Sequence, residues 1–164
     1  MANINTSGLR AYLVGGAVRD RLLGLPSSDR DWLVTGVTAE QLLARGFRKV
    51  GQDFSVFLHP ESAEEYALPR GDSTAKEERV QVCDDLVQRD LTINAIALSP
   101  EGTYIDPLNG QQDLQARWLR PTPTFRRAPL RVLRLARFAA RFATFGFRRA
   151  ERPRQTDRTM VPAG

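Results

Sequence analysis

LVGGAVRDRLLGLPSSDRDWL, residues 13–33, is the stretch that decides the fold of this chain. Its apolar start, Leu13-Val14, predicts a short strand that runs into the turn Gly15-Gly16 and then into a helix beginning near Ala17. Glycine lets a backbone approach a phosphate closely, and a helix N-terminus directs amide groups and the positive end of its dipole toward that phosphate. This order indicates a phosphate-binding site, with Arg19 one turn into the helix to grip the anion.

Two aspartates one residue apart follow the turn at 24–28. A β-strand alternates its side chains between two faces, so Asp29 and Asp31 are expected to point the same way and Arg30 the opposite way. Two carboxylates on one face favour a Mg²⁺ site. A glycine pair or an Asp-x-Asp pair alone is more often a plain turn or a solvated strand. Both together, in this order, favour a nucleotide and metal site.

The chain resembles the DNA polymerase beta-like nucleotidyltransferases, and within them the class II CCA-adding tRNA nucleotidyltransferases of bacteria. The resemblance runs from about Arg10 to Phe147. The matching stretches are YLVGGAVRDRLLGLPSSDRDWLV (12–34), VGQDFSVFLHPESAEEYALPR (50–70), DDLVQRDLTINAIA (84–97), IDPLNGQQDLQARWLR (105–120) and PLRVLRLARFAARF (129–142). Poly(A) polymerases share the nucleotidyltransferase core, but FLHP and EEYALPR are closer to the CCA-adding branch.

The resemblance implies a mixed α/β (α+β) fold in which a nucleotidyltransferase head with a small mixed sheet precedes the first helix of a helical neck. We expect the head at residues 1–123, the nucleotide-binding start of the neck at 124–147, and a tail without regular structure at 148–164. The implied reaction adds C, C and A from CTP and ATP to the 3′ end of tRNA and releases pyrophosphate.

The resemblance also implies the residues that hold the metal. Asp29 and Asp31 would bind two Mg²⁺ ions, one activating the 3′-hydroxyl of tRNA and the other clamping the triphosphate. Glu65, in EEYALPR, is a weaker candidate for a third carboxylate from a neighbouring strand. An exposed acidic strand residue is an equally good interpretation of Glu65.

A second motif lies in residues 84–95, where Arg89 suits contact with ribose or triphosphate. Asp90 can accept from a ribose hydroxyl or orient Arg89, and Asn94 would fall four residues along the same helical face as Asp90. The family has two arginines before the aspartate, whereas this chain has Gln88 at the first position, which is expected to weaken triphosphate binding without abolishing it. The alternative is a capped helix with surface charges.

From Pro129 an apolar stripe at helical spacing alternates with Arg131, Arg134, Arg137 and Arg141. On a helix these arginines would form a basic ridge without an acidic partner, which an anionic ligand would stabilise, although a solvated face is the alternative. By the resemblance, the positions of the first three contact the base and the triphosphate. We assign Arg134 and Arg137 to nucleotide binding, with Arg131 as a weaker candidate. The stripe itself, if exposed, could drive self-association. It comprises Leu133, Ala136, Phe138 and Phe142.

Three departures from the family pattern bear on function. Arg127-Ala128 stands where the family has a Glu-Asp pair that reads the base, so selection between CTP and ATP is in doubt. The loop after Arg70 is about ten residues shorter than usual, by the resemblance. The arginine-rich segment 148–164 has no apolar periodicity where the family continues into a body and tail that grip tRNA. We therefore expect a fragment or a shift of reading frame.

Composition and charge fit an enzyme of nucleic acids. The net charge is +5, and residues 117–164 hold thirteen arginines against Glu151 and Asp157. A basic half attracts phosphates by counterion release. One cysteine, Cys83, excludes an internal disulfide and suits the cytoplasm, and no apolar run approaches the roughly 20 residues that span a bilayer.

Two motifs are interpreted as architectural. Asp106, before Pro107, is expected to pin a turn, and His59-Pro60 to end a strand. The function alternatives are a non-catalytic remnant that binds nucleotide or RNA through its arginines, and a poly(A) polymerase-like enzyme with relaxed base selection. Oligomeric state stays open.

Overall fold

The computed structural model describes residues 8–27, 29–52, 55–69, 77–125 and 130–150, with the side chains of 130–132 excepted. Within these ranges seven strands form one sheet in the order β3-β4-β5-β2-β1-β6-β7. The strands are β1 (Arg10–Val14), β2 (Asp31–Thr35), β3 (Arg48–Val50), β4 (Val56–Leu58), β5 (Glu65–Ala67), β6 (Ala97–Leu98) and β7 (Tyr104–Ile105). The helices are α1 (Gly16–Leu22), α2 (Ala39–Ala44), α3 (Glu78–Leu86), α4 (Gly110–Ala116) and α5 (Leu130–Phe142).

The sheet is mixed, as the sequence predicts. β1 and β2 pair antiparallel, with Val14 opposite Asp31, whereas β2 and β5 pair parallel, with Asp31 beside Glu65. The remaining neighbours in the sheet are antiparallel. The loop after β1 and the start of β2 therefore meet at one end of the sheet, which is where the glycine turn and the two aspartates lie.

Alternation along the strands covers both faces of the sheet. Tyr12, Val14 and Leu33 face α3 and pack against Val82 and Leu86. The opposite face packs at one end against α1, α4 and α5 and at the other against α2. No helix in the described part of the chain is both long enough and apolar enough to cross a membrane.

The start of the predicted neck packs onto the same body as the sheet. Phe142 of α5 is fully buried beside Val18 and Leu119, so the prediction that it belongs to an exposed stripe is wrong, whereas Leu133 is 66% exposed. Residues Arg148–Arg149 form β9, which pairs parallel with β8 (Trp118–Leu119). The predicted unstructured tail therefore does not begin at 148. Residues 151–164 lie outside the described ranges.

Helix α4 approaches a 3₁₀ turn at Thr92–Asn94 unusually closely. A Cβ on Gly110 would lie 2.1 Å from the carbonyl oxygen of Thr92, so only glycine fits there without a shift of the backbone. Asp106 holds the start of α4, because its carboxylate accepts from the amides of Gly110 at 2.6 Å and Gln111 at 2.9 Å. The interpretation of Asp106 as a residue that pins a turn is confirmed.

His59 also has a structural role, as the sequence indicates. Its Nδ1 accepts from the backbone amides of Glu61 at 3.1 Å and Ser62 at 3.2 Å in the turn after β4. The side chain is buried against Phe47 and Tyr66.

Candidate active site

A cleft of about 370 Å³ opens at the end of the sheet where β1 ends and β2 begins. Its size suits a small ligand such as a nucleotide. Nine of the residues that the sequence singled out line it. They are Gly15, Gly16, Arg19, Asp29, Asp31, Arg89, Asp90, Asn94 and Arg134.

The two aspartates share one wall of this cleft. Asp31 is the first residue of β2, and Asp29 precedes it in the connecting segment. Both line the nucleotide-sized cleft, while Arg30 between them lines a different one, as strand alternation predicts. Surrounding protein atoms that displace water raise the pKa of Asp31, and repulsion from Asp29 adds to this against an opposing attraction from Arg89. Carboxylate oxygens that line one cleft are ligands of the kind that a divalent cation prefers.

Glu65 lies beside Asp31 in the register of β2 and β5, yet it does not line the cleft. Within the ranges that the structure covers, no group of three or more Asp, Glu, His or Cys side chains is arranged to hold a metal ion. The structure therefore places Glu65 next to the aspartates along the sheet without bringing the three carboxylates together.

Both positions of the glycine turn favour glycine, Gly15 for its backbone conformation and Gly16 for its closeness to the Arg19 side chain. Gly15 has φ 72° and ψ −140°, a backbone conformation that residues with a Cβ rarely adopt. A Cβ on Gly16 would lie 3.0 Å from Nη2 of Arg19, tighter than an ordinary contact. Helix α1 begins at Gly16, one residue earlier than the sequence predicts.

Arg19 is buried and hydrogen-bonded to other side chains, so it is not open to a phosphate in the way that the sequence predicts. Its Nη1 donates to Oδ1 of Asn94 at 2.7 Å, and its Nε donates to Oδ1 of Asp20 at 2.9 Å. The guanidinium carbon lies 4.8 Å from the ring centroid of Phe142 and 5.4 Å from that of Phe138. With 4% of its surface exposed, Arg19 joins α1, the second motif and α5 at the floor of the cleft.

Arg89 points into the cleft from the segment after α3. Its Nη2 donates to Oδ2 of Asp85 at 3.2 Å, so Asp85 orients it, and of the two roles considered for Asp90 the acceptor of a ribose hydroxyl is the one that stays a prediction. Asp85 is 2% exposed. The Nε of Arg89 is buried and has no hydrogen-bond partner within the described residues. An N–H of this kind is a donor for a ligand oxygen.

Asp90 is held by its neighbours and keeps one oxygen for the cleft. Oδ1 accepts from the amide of Leu91 at 2.7 Å and from Nδ2 of Asn94 at 3.2 Å, across a 3₁₀ turn rather than along the α-helix that the sequence predicts. Oδ2 is buried without a hydrogen bond among the described residues, and Nε of Arg134 lies 3.5 Å from it as an ion pair. Thr122 holds the backbone of this motif, because its hydroxyl donates to the carbonyl oxygen of Arg89 and its amide donates to that of Asp90.

Helix α5 contributes one of the two predicted arginines, Arg134, and Arg141 in place of Arg137. Arg134, Phe138 and Arg141 line the cleft, and Arg137 does not. Seven residues make nearly two helical turns, so Arg141 shares a face with Arg134, whereas Arg137 is rotated about 60° away from it. Strict use of helical periodicity would have selected Arg141.

Several predicted features lie outside the described residues. They are the side chain of Arg131, the shortened loop at 70–76, the Arg127-Ala128 substitution and the segment 151–164.

Comparisons with known proteins show the family of this chain. The family model described as the poly A polymerase head domain matches residues 11–120. A multifunctional CCA protein of Thioalkalivibrio sulfidiphilus is 53% identical over 167 residues, covering 95% of this chain and 41% of that protein. A CCA-adding enzyme of Pseudomonas putida is 54% identical over 154 residues, covering 87% of this chain and 42% of that protein. The chain thus spans about two fifths of these curated relatives.

The solved structures that resemble this chain include CCA-adding and tRNA nucleotidyltransferase enzymes. The crystal structure of the Bacillus stearothermophilus CCA-adding enzyme in complex with CTP superposes with a TM-score of 0.71 at 34% identity, over 90% of this chain and 38% of that one. A tRNA nucleotidyltransferase complexed with a primer tRNA and an incoming ATP analog superposes with a TM-score of 0.67 at 35% identity, over 88% and 44%.

Proposed function

The chain belongs to the poly A polymerase head domain family, and we propose that it is the nucleotidyltransferase part of a CCA-adding enzyme. Its reaction would transfer nucleotides from CTP and ATP to the 3′ end of tRNA and release pyrophosphate, in the bacterial cytoplasm. The observation that carries this proposal is the cleft itself, in which Asp29 and Asp31 face Arg89, Arg134 and Arg141. Carboxylates for metal ions and arginines for a triphosphate are the groups that nucleotidyl transfer requires.

The aspartates fit a divalent cation. Asp29 and Asp31 are exposed, line the same cleft, and have oxygen ligands of the type that Mg²⁺ prefers. When bound, magnesium ions supply Lewis acidity that activates the attacking 3′-hydroxyl and neutralises charge on the triphosphate. We propose that Asp29 and Asp31 hold them.

The arginines and their neighbours would position the nucleotide. The Nε of Arg89, which has no hydrogen-bond partner among the described residues, is available to a phosphate or ribose oxygen. Oδ2 of Asp90 is ion-paired with Arg134 but accepts no hydrogen bond among those residues, so it would accept from a ribose hydroxyl. Arg134 and Arg141 would meet the triphosphate from α5, since both guanidinium groups are exposed on the cleft side of the helix. Arg19 would act through Asn94, which it holds in place.

Incorporation into a tRNA that lacks its CCA end tests the proposal. Labelled CTP and labelled ATP are supplied separately with magnesium, and the variants Asp29→Ala and Asp31→Ala serve as blanks. Glu61→Ala, which removes an exposed carboxylate in the turn after β4, is the matched control.

We expect CTP to be incorporated by the wild-type chain and by the control, and not by the two aspartate variants. ATP used in preference to CTP would favour the poly(A) polymerase-like alternative. Incorporation that survives Asp29→Ala, or none from wild-type protein shown to be folded, would overturn the proposal.

A further inference from the structure

A second cleft of about 530 Å³ lies on the sheet face opposite α3. Its floor is formed by half-buried side chains of three neighbouring strands, Ala11, Leu13, Trp32 and Leu98. This floor lies between the part of the sheet that packs against α1 and the part that packs against α2. An uncovered apolar strip thus crosses the middle of the sheet.

The second cleft meets the first beside the aspartates. Ala17 and Ser27 line both clefts. Arg30 faces the second cleft, and its two sequence neighbours Asp29 and Asp31 face the first. A chain lying along the second cleft is therefore within reach of the cleft that Asp29 and Asp31 line.

In the described part of the chain, the charged side chains that line the second cleft are both arginines, so the cleft favours an anionic ligand. Arg21 and Arg30 form its rim, both are exposed, and neither makes an ion pair or hydrogen bond with another described residue. No acidic side chain is among the described residues that line it. Two unpaired guanidinium groups over an apolar floor suit phosphates above and bases below.

Trp32 supplies a surface on which a base can stack. One side of its indole stacks on Tyr66, with ring centroids 5.9 Å apart and planes inclined by 23°, and Nε1 donates to Oε2 of Glu64 at 3.0 Å. These contacts hold the ring upright on β2, beside Leu13 on the adjacent β1, and the ring lines the cleft. Aromatic rings beside a basic groove are the platforms on which the unpaired bases of a single strand stack.

We propose that the second cleft binds the single-stranded end of the acceptor RNA, with a base on Trp32 and the phosphates against Arg21 and Arg30. The inference rests on the proposed function and adds the acceptor site to the nucleotide site. An acceptor strand seated there places its 3′-hydroxyl at Asp29 and Asp31 while the incoming nucleotide occupies the first cleft.

Charge reversal tests the proposal. The double variant Arg21→Glu/Arg30→Glu is compared with Arg48→Glu/Lys49→Glu, which makes the same change of charge on exposed residues of β3 that line neither cleft. Binding of a short fluorescently labelled single-stranded oligocytidylate with a free 3′-hydroxyl is measured by anisotropy over a range of salt concentrations. Thermal melting shows that both variants are folded.

We expect the Arg21/Arg30 reversal to weaken RNA binding about tenfold or more and to lower the salt slope by roughly two, because two phosphate contacts are lost. The Arg48/Lys49 reversal should change binding less than about twofold. Equal effects of the two reversals would overturn the proposal.

Tryptophan fluorescence locates the bound strand. The chain has two tryptophans, so Trp118→Phe leaves Trp32 as the sole emitter. We expect oligocytidylate to quench it, and not in the Arg21→Glu/Arg30→Glu background. CTP incorporation by wild-type protein without this quenching would overturn the acceptor site alone. Quenching with no incorporation would overturn the proposed function and leave the RNA site standing.

Discussion

The guanidinium of Arg134 on α5 approaches the carboxylate of Asp90 across the cleft, with Nε 3.5 Å from Oδ2. The two side chains differ in burial, since that of Arg134 is 63% exposed and that of Asp90 is 8% exposed. The expectation of an arginine ridge without an acidic partner is therefore wrong for Arg134. Both side chains line the cleft, so a triphosphate bound there would compete with Asp90 for the guanidinium of Arg134.

Removing the two partners should have different consequences. Asp90→Ala should lower the free energy of unfolding by about 2 kcal/mol, because the amide of Leu91 and the side chain of Asn94 lose a buried acceptor. Arg134→Ala should change stability by less than about 0.5 kcal/mol, since an exposed partner contributes little. Urea unfolding of the two variants measures both values, and equal losses would contradict the assignment.

Two arginines on the same helix give a matched test of nucleotide binding. Arg141→Ala should weaken CTP binding about tenfold, because a charge-assisted contact with phosphate is lost. Arg137→Ala removes the same charge from an exposed position that does not line the cleft, and should leave CTP affinity within about twofold of wild type. Equilibrium dialysis with labelled CTP compares them. A larger effect at Arg137 would restore the prediction made from the sequence.

Gly110→Ala should destabilise the chain by about 3 kcal/mol or more. The added methyl group would lie 2.1 Å from the carbonyl oxygen of Thr92, and backbone cannot move aside as a flexible side chain can. Gln112→Ala, an exposed change on the same helix, is the control and should leave the melting temperature nearly unchanged. A Gly110→Ala variant as stable as the control would show that α4 is not held so close to the 3₁₀ turn.

Asp31 and Glu78 should respond to pH with opposite signs. Loss of hydration raises the pKa of Asp31 above the ordinary 3.8. The charged form of Asp31 therefore destabilises the folded chain, and the free energy of unfolding falls as pH rises through the folded-state pKa. Asp31→Asn should therefore raise the melting temperature at pH 7, and the gain should shrink as pH falls through the folded-state pKa and vanish below about pH 3.8.

At Glu78 burial alone would raise the pKa, but hydrogen bonds from Thr35, Tyr12 and Arg10 outweigh it and lower the pKa below 4.5. Its stabilising effect is present above the unfolded value and is lost as pH falls through the folded one. Glu78→Gln should accordingly lower the melting temperature at pH 7, and the loss should narrow in acid. Melting scans of both variants across pH check this pair, and shifts of the same sign would contradict it.

Local patterns predicted the parts of the site that one stretch of chain builds. The β1 strand, the glycine turn, α1 and the placement of Asp29 and Asp31 against Arg30 all follow from residues adjacent in sequence. The mixed sheet followed from the family resemblance.

Contacts between distant segments were not predictable in this way. The pairing of Asp90 with Arg134 and the burial of Phe142 depend on where α5 docks, and no local periodicity encodes that position. The pairing of β8 with β9 joins two-residue strands that are too short to show alternation. Arg141 is different, since helical spacing alone places it with Arg134.

We propose that Asp29 and Asp31 form, with the arginines of the cleft, one site for a divalent cation and a nucleotide. Titration of Mn²⁺, monitored by its paramagnetic resonance with and without CTP, tests that claim without any need for tRNA. We expect CTP to tighten Mn²⁺ binding to the wild-type chain and to Glu61→Ala, and we expect Asp29→Ala and Asp31→Ala to lose this binding. Mn²⁺ bound equally well by the aspartate variants would contradict it.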